Sequence, residues 1–557
     1  MDLDEVLPSV GEYGKYQKLV LWFVLLPGVF PCGFHAYNQL FMAATPDHWC
    51  YVPDLAQMEK ENARNLSIPL ETTLDGQLRF SKCNMYNISY ENASRTFKNF
   101  DGIPTNTSTA SCKNGWYFDE DYKSVVTEWN LVCDRDFLVT LGLVLLGASG
   151  LVGNYIFGYI QDGVGRKPAY FIYLLIQCIF GTATAFASNY VMWVIFRIGV
   201  GFTVPAILGT PYVMAIELVG PKYRVTVTIL INIAYSLSLV SLAIIVWAVR
   251  DWRWMTLLTT LPFAALFATW WVLPESPRWL LARGRYDEAE KILCKMAKVN
   301  GNNSLSKDFL QKHIASKPQD ADSKAPANQE QERYGIRHLF RHKNLRWKTV
   351  IITFLWFTNT SVYVGLSYYA PALGGDEYLN FFLAGAVEFP TYLFLWPAME
   401  RLGRRWTLCM SMIVGGTSCL ATFVVQEDYL TTLVLYCMGK MGISSSFVVL
   451  PLMASELYPT VVRGLGMSLS SVIGMLGPIF IPLVNYLGSD MLTLPLIIMG
   501  ALLVAGGLCS LLLPETLNKH LPQTLEDAEK SPLDCFACCE IPQKEDLVSE
   551  EIRETAI

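Results

Sequence analysis

The stretch GYIQDGVGRKPAYF, residues 158–171, has a near copy in PAMERLGRRWTL, residues 397–408. Each sets a carboxylate, a glycine and two cations at the end of a long apolar run: Asp162-x-x-Gly165-Arg166-Lys167, then Glu400-x-x-Gly403-Arg404-Arg405. Two further pairs keep the same order. ELVGPKYR carries Glu217 and Arg224, and ELYPTVVR carries Glu456 and Arg463, both with a separation of seven. LPES at Pro274 is matched by LPET at Pro514. The shifts are 238 (162 to 400), 239 (217 to 456) and 240 (274 to 514). Three ordered matches at helix ends predict two six-helix halves related as parallel repeats. Such halves hold a substrate at the midplane and expose it alternately to either side.

Composition agrees with a chain immersed in lipid. Of 557 residues, 52% are hydrophobic and 17% charged, against about a quarter charged in soluble proteins. Apolar runs long enough to cross a ~30 Å hydrocarbon core lie between short charged blocks. Twelve spans are expected, near 17–43, 137–160, 168–187, 190–215, 225–248, 253–273, 348–372, 377–398, 406–425, 429–453, 464–487 and 491–513. They must be helices, because a lone strand in lipid leaves its backbone groups unpaired. The polar first 16 residues and the absence of a small-residue cleavage site give no sign of a cleaved leader. The net charge of −6 argues against a nucleic-acid partner.

With the N terminus inside, GRKP, PKYR, the segment 274–347, RLGRR and VVRG all fall in the cytoplasm, as basic loops do. Arg250 and Arg253 in VRDWR are the exception. The polar loop 44–136 then lies outside. It carries sequons at Asn65, Asn87, Asn92 and Asn106, which matter only on that side. Cys50, Cys83, Cys112 and Cys133 in the same loop imply two disulfides in one of three pairings.

This plan divides the chain into a first bundle 1–273, a cytoplasmic helical and linker segment 274–347, a second bundle 348–513 and a cytoplasmic tail 514–557. Within 274–347, SPRWLLARGRYDEAEKILCKMAKVN reads as short amphipathic helices and SKPQDADSKAPANQEQE as a polar linker. In the tail, Cys535, Cys538 and Cys539 make half a metal site with no second ligand cluster after them. They read as ordinary thiols, with palmitoylation as the alternative. The final ETAI, with Thr555 and Ile557, fits a peptide that adds a strand to a PDZ domain.

The repeated loop reads as a gate. Glu217 and Glu456 are natural partners for Arg166 and Arg404, and topology alone does not require the acids at Asp162 and Glu400. Substrate contacts are sought at mid-span charges, which are costly without a partner or a function. Glu388 and Lys440 each sit about eleven residues into their spans, placed to pair with each other or with substrate. Arg197, near small residues, reads as structural. Trp356 and Tyr363 share a face of the seventh span, with Asn359 and Thr360 nearby. Aromatic faces attract quaternary ammonium groups. His35, Asn38 and Gln39 in the first span, and Asn232 and Tyr235 in the fifth, complete the candidates.

Asp-x-x-Gly-Arg-Lys resembles the major facilitator superfamily pattern. TEWNLVC (127–133), PESPRWLLARGRYDEAE (274–290) and ASELYPTVVRG (454–464) look more specifically like the organic cation, carnitine and organic anion transporters, over residues 10–520. PESPRWL is also similar to sugar porters, which lack the large cysteine-bearing loop. The resemblance implies a substrate-facing Tyr363 and PDZ-binding endings like those of carnitine-type relatives. It also implies a charged residue twelve positions after Arg463, where this chain has Met475. The expected function is therefore a plasma-membrane carrier of small organic cations or zwitterions. An organic anion carrier and a non-transporting solute sensor are the alternatives. No HExxH, GxSxG or Walker loop occurs, so neither an enzyme nor a cofactor or metal site is expected.

Overall fold

Prolines decide where the long helices break. In a computed structural model, the helical segments Tyr190–Gly201, Glu377–Ala386 and Arg463–Gly474 end four residues before Pro205, Pro390 and Pro478. That is the reach of the bond a proline cannot make and of the carbonyl its ring crowds. The first span shows the same strain as a π-helical turn at Leu21–Leu25 ahead of Pro27. The structure describes residues 3–530 apart from 73–77, 89, 91–106, 120–121, 302–335, 426–427, 460, 489–492, 518–521 and 523–524. Asn92, Asn106, the polar linker, Cys535, Cys538, Cys539, Thr555 and Ile557 lie outside the described residues.

Nine described helices are long and apolar enough to cross a bilayer. One of them, Glu377–Ala421, is two spans, because backbone at Gly403 turns to φ +83 inside it. Two shorter stretches complete the twelve: Trp252–Leu258 continuing into the 3-10 helix Leu261–Trp271, and Leu494–Ser510. Spans one to five are Lys15–Met42, Cys133–Val164, Arg166–Ala185, Tyr190–Leu218 and Pro221–Ala248. Spans seven, ten and eleven are Lys343–Leu373, Tyr429–Leu457 and Arg463–Leu487. The chain is a multi-pass membrane protein. Amphipathic helices follow the sixth span at Pro277–Ala282 and Tyr286–Asn300. A further helix, Leu3–Val10, precedes the first span in residues read as plain polar sequence.

The spans pack as two bundles. The first span lies against the fourth and fifth, while the ninth packs on the tenth and twelfth. Span two meets span eleven, and span five meets span eight. A shift of six spans exchanges these two seams, so the interface carries the repeat too. Gly147 and Gly385, 238 residues apart (147 to 385), mark them. A Cβ on Gly147 would stand 2.8 Å from the Pro478 carbonyl oxygen, and one on Gly385 3.1 Å from Val240. Glycine here allows the close backbone approach that membrane helix pairs favour. Toward the end of the seam beside segment 44–136, Tyr37 and Phe41 pack on Phe381, and Phe137 packs on Tyr486.

The described residues of segment 44–136 form a cap. Three antiparallel pairs join His48–Cys50 to Trp116–Phe118, Leu70–Thr72 to Leu78–Phe80, and Asn84–Tyr86 to Thr109–Ser111. Its small core gathers Trp49, Val52, Leu55, Leu66, Ile68 and Met85. So small a core needs staples, and the disulfides are Cys50–Cys112 and Cys83–Cys133. Asn65 and Asn87 are exposed on it.

The cap docks on the first bundle. Arg253 Nη2 donates to Glu128 Oε1 at 2.6 Å, and Trp252 Nε1 to Glu128 Oε2 at 2.9 Å. Arg253 also donates to the carbonyls of Ala185 and Ala187, closing the C-terminal end of the third span. This accounts for Arg253, one of the two basic residues that broke the charge pattern. Arg253 is held by a helix end and a carboxylate.

Candidate functional site

The repeated motifs build two matching clusters at the face opposite the cap. Backbone at Gly165 turns to φ +113 and at Gly403 to φ +83, values that favour glycine. The turn presents the next helix N-terminus to an acid, Glu275 in one half and Glu515 in the other. Arg166 and Lys167 N–H donate to Glu275 at 2.9 and 3.2 Å, and Arg404 and Arg405 N–H to Glu515 at 2.9 and 3.1 Å. Burial pushes the Glu275 carboxyl up, while backbone N–H groups of Ser276, Lys167 and Arg166 pull against it.

Side chains then bind the clusters laterally. Arg166 reaches Glu217 at 3.3 Å, and Arg404 reaches Glu456 at 3.4 Å. Asp162 lies 3.1 Å from Arg166, whereas Glu400 accepts from Trp396 Nε1 at 3.0 Å. Lys167 stands over the Trp270 ring, and Arg405 donates to the Leu511 carbonyl. Arg224 heads the regular helix of the fifth span, and Arg463 bonds the Tyr458 carbonyl at the start of span eleven. Glu275 and Glu515 were legible only as LPES and LPET, markers of the repeat.

A different arrangement fills the middle of the molecule. Glu388 follows the break forced by Pro390 and is fully buried. Its Oε1 accepts from Tyr363 Oη at 2.9 Å and Ser444 Oγ at 3.0 Å, with Lys440 Nζ at 3.3 Å. Its Oε2 accepts from Tyr392 Oη at 3.2 Å and from Ser236 Oγ. Lys440 Nζ also donates to Ser367 Oγ at 2.6 Å and stands 3.6 Å from the Tyr363 ring centroid. Tyr235 lies against Tyr363, with centroids 6.4 Å apart. Five donors converge on a carboxylate offering about four lone-pair positions. One of them, Ser236, comes from the opposite bundle.

The sequence-selected residues divide accordingly. Glu388, Lys440, Tyr363 and Tyr235 come together. Asn38 instead joins Arg197, His35 and Gln39 in a separate network between the first and fourth spans. Asn232 donates to the Thr228 carbonyl of its own helix. Trp356, two turns before Tyr363, packs its backbone by Gly474. Met475 falls at the break of span eleven. The side chains missed by sequence reading are Ser236, Ser367, Tyr392 and Ser444. Each lies four residues after a selected one: Asn232, Tyr363, Glu388 and Lys440. The helical i, i+4 rule carried the signal.

Comparison with known proteins places this geometry. Residues 83–527 match the family described as "Sugar (and other) transporter". The chain is 54% identical to a beta-alanine transporter of Drosophila melanogaster, covering 97% of this chain and 91% of that one. It is 42% identical to a carcinine transporter of the same organism, covering 99% and 82%. It is 34% identical to the human organic cation/carnitine transporter 2, covering 94% and 93%. Among solved structures, the inward-open xylose transporter XylE of E. coli superposes with a TM-score of 0.58 at 16% identity, covering 91% of this chain and 98% of that one.

Proposed function

The chain belongs to the sugar and other transporter family, within its organic cation and carnitine transporter branch, and from that premise we propose that it carries small amine-bearing cations or zwitterions, of the β-alanine, carcinine and carnitine kind, across the plasma membrane. One observation supports this most: the buried Glu388 carboxylate is hydrogen-bonded from both bundles, by Ser236 of one and by Tyr363, Tyr392, Ser444 and Lys440 of the other. A substrate ammonium arriving there competes with these donors. Lys440 acts as a tethered cation that keeps the carboxylate balanced while the site is empty. Displacing it, and loosening Ser236, couples occupancy to the bond that joins the bundles. This is the differential contact a ligand needs in order to shift a two-state equilibrium. Tyr363 and Tyr235 offer aromatic faces to the cationic head, with Trp356, Asn38 and Asn232 flanking the route.

In this reading the inner clusters form the gate. Asp162, Gly165, Arg166, Lys167, Glu217 and Arg224, with their counterparts Glu400, Gly403, Arg404, Arg405, Glu456 and Arg463, brace each bundle at the cytoplasmic mouth as it rocks. Both termini lie in the cytoplasm, the cap is outside with glycans on Asn65, Asn87, Asn92 and Asn106, and the tail offers Thr555 and Ile557 to a PDZ domain. The bundles run 1–273 and 348–513, joined by 274–347 and followed by the tail 514–557. The test is uptake of labelled β-alanine, carnitine, tetraethylammonium and an organic anion in expressing cells, with sodium removed and membrane potential clamped in turn. Saturable uptake with countertransport of an ammonium-bearing solute is expected. Its absence for every ammonium-bearing solute tested, at normal surface level, overturns the reading.

A further inference from the structure

The two bundles differ in how the chain enters them at the face opposite the cap. Ahead of the first span, Val6, Leu7, Val10 and Tyr16 are buried. Asn300 closes that approach, donating to the Val10 carbonyl and accepting from the Tyr16 N–H, both at 3.0 Å. Ahead of the seventh span, helix Ile336–Arg341 leads into Lys343–Tyr369 with a different surface. Leu339 and Leu345 are buried and anchor it. Four cations, Arg337, Arg341, Lys343 and Arg346, stand exposed there, and so do Ile336, Phe340 and Trp347.

Among the described residues, none of these four cations makes an ion pair or a side-chain hydrogen bond. Elsewhere on this face Arg166, Arg285 and Arg404 are each held by a glutamate. Glu529 of the tail helix Leu525–Lys530 places its carboxylate 3.0 Å from the Asn344 N–H, so it caps the helix rather than pairing with a side chain. The 27 residues of Lys343–Tyr369 rise about 40 Å, roughly 10 Å more than the hydrocarbon core. The apolar run starts at Val350, so the surplus at this end falls on Lys343 to Trp347. That stretch lies at headgroup level.

Membrane topology calls for cations here. It does not call for Ile336 and Phe340, one helical turn apart, left uncovered beside them. We propose that residues 336–347 dock the anionic phospholipid headgroups of the leaflet on this side. The four cations meet phosphate, and Ile336, Phe340 and Trp347 enter the interface, as the apolar face of an interfacial helix does. Lipid then holds the entrance of the second bundle at the membrane surface, while packing within the chain holds the entrance of the first. The proposal goes beyond the carrier reading and needs no turnover.

The test is thermal melting of the purified full-length protein in detergent, titrated with dioctanoyl phosphatidylserine, dioctanoyl phosphatidylcholine and inorganic phosphate. Phosphatidylserine should raise the midpoint, as a ligand of the folded state does, and the other two should not. Each cation near an anionic lipid surface is worth about fivefold in affinity. Arg337→Gln with Arg341→Gln, and Lys343→Gln with Arg346→Gln, should therefore each weaken the response roughly twentyfold. These side chains are exposed, so both pairs should melt like the wild type without lipid. As a control, Lys291→Gln with Lys298→Gln removes two exposed cations from helix Tyr286–Asn300 and should leave the response unchanged. No preference for phosphatidylserine, unchanged affinity in a patch pair, or an equal loss in the control pair overturns the proposal. Melting does not depend on turnover, so failed uptake beside an intact lipid response would count against the carrier reading alone.

Discussion

The inner ends of the two bundles are near copies, and their centres are not. At the inner face each half sets a positive-φ glycine, a helix N-terminus, a capping glutamate and an arginine–glutamate pair within a few tenths of an ångström of the other's spacing. At mid-depth the second half holds Glu388 and Lys440 in contact, while the first holds Arg197 among neutral partners. The matching parts are those that the proposed rocking asks of both halves alike. The parts that differ are those that, in the proposed function, meet the solute.

The largest effect expected from breaking this contrast is at Glu388. Glu388→Gln leaves Lys440 buried without a counter-charge, a loss of about 3–5 kcal/mol. It should lower the melting midpoint and cut amine uptake roughly tenfold or more, measured per surface copy. The double variant Glu388→Gln with Lys440→Met should recover the melting midpoint and leave uptake lost. A single variant that melts and transports normally would remove Glu388 from the site.

A smaller, paired effect is expected at the inner face. Gly165→Ala and Gly403→Ala each force a side chain into positive-φ backbone, and their Cβ atoms would stand 2.5 and 2.6 Å from Glu275 and Glu515. Each should cost about 1–3 kcal/mol, read by melting, with similar falls in uptake rate. Equal losses sharpen the symmetry. A harmless change in one half beside a disabling one in the other breaks it.

The smallest effect is at the cap. Burial pushes the Glu128 carboxyl up, but hydrogen bonds from Arg253 and Trp252 outweigh it and hold the group below its ordinary value. Its contribution is complete above the usual glutamate range and is lost as pH falls through the lowered native value. The pair is more than a third exposed, so the effect is about 0.2–1 kcal/mol. Cap protection in hydrogen exchange should weaken as pH drops below about 4, and Glu128→Gln should remove that dependence. A cap equally protected across the range in both proteins contradicts it.

Much of this architecture is legible in the chain because lipid admits few solutions. Apolar length sets the spans, and Pro205, Pro390 and Pro478 mark three of the breaks. The central carboxylate was found because a charge at mid-span is rare enough to need a reason. Of its hydroxyl donors Tyr363 was found with it, but Ser236, Tyr392 and Ser444 were not, because hydroxyls are common in membrane helices and only the four-residue spacing singles them out. Glu275 and Glu515 were hidden because their partners are backbone N–H groups, which no side-chain pattern records. The cap's pairing of Cys50 with Cys112 and Cys83 with Cys133 depends on strand contacts far apart in sequence, so four cysteines alone left it open.

Among its described residues the cap is held mostly by the first bundle, with Tyr486 of the second reaching Asp136 at its edge. Tyr122 bonds the Phe41 carbonyl at the end of the first span, and Glu128 holds Trp252 and Arg253 of the sixth. It is therefore a lever arm held chiefly by the first half. A spin label or antibody fragment seated near the exposed Asn65 travels with that half, and its distance to a mark on the second becomes a gauge of the rocking angle during turnover.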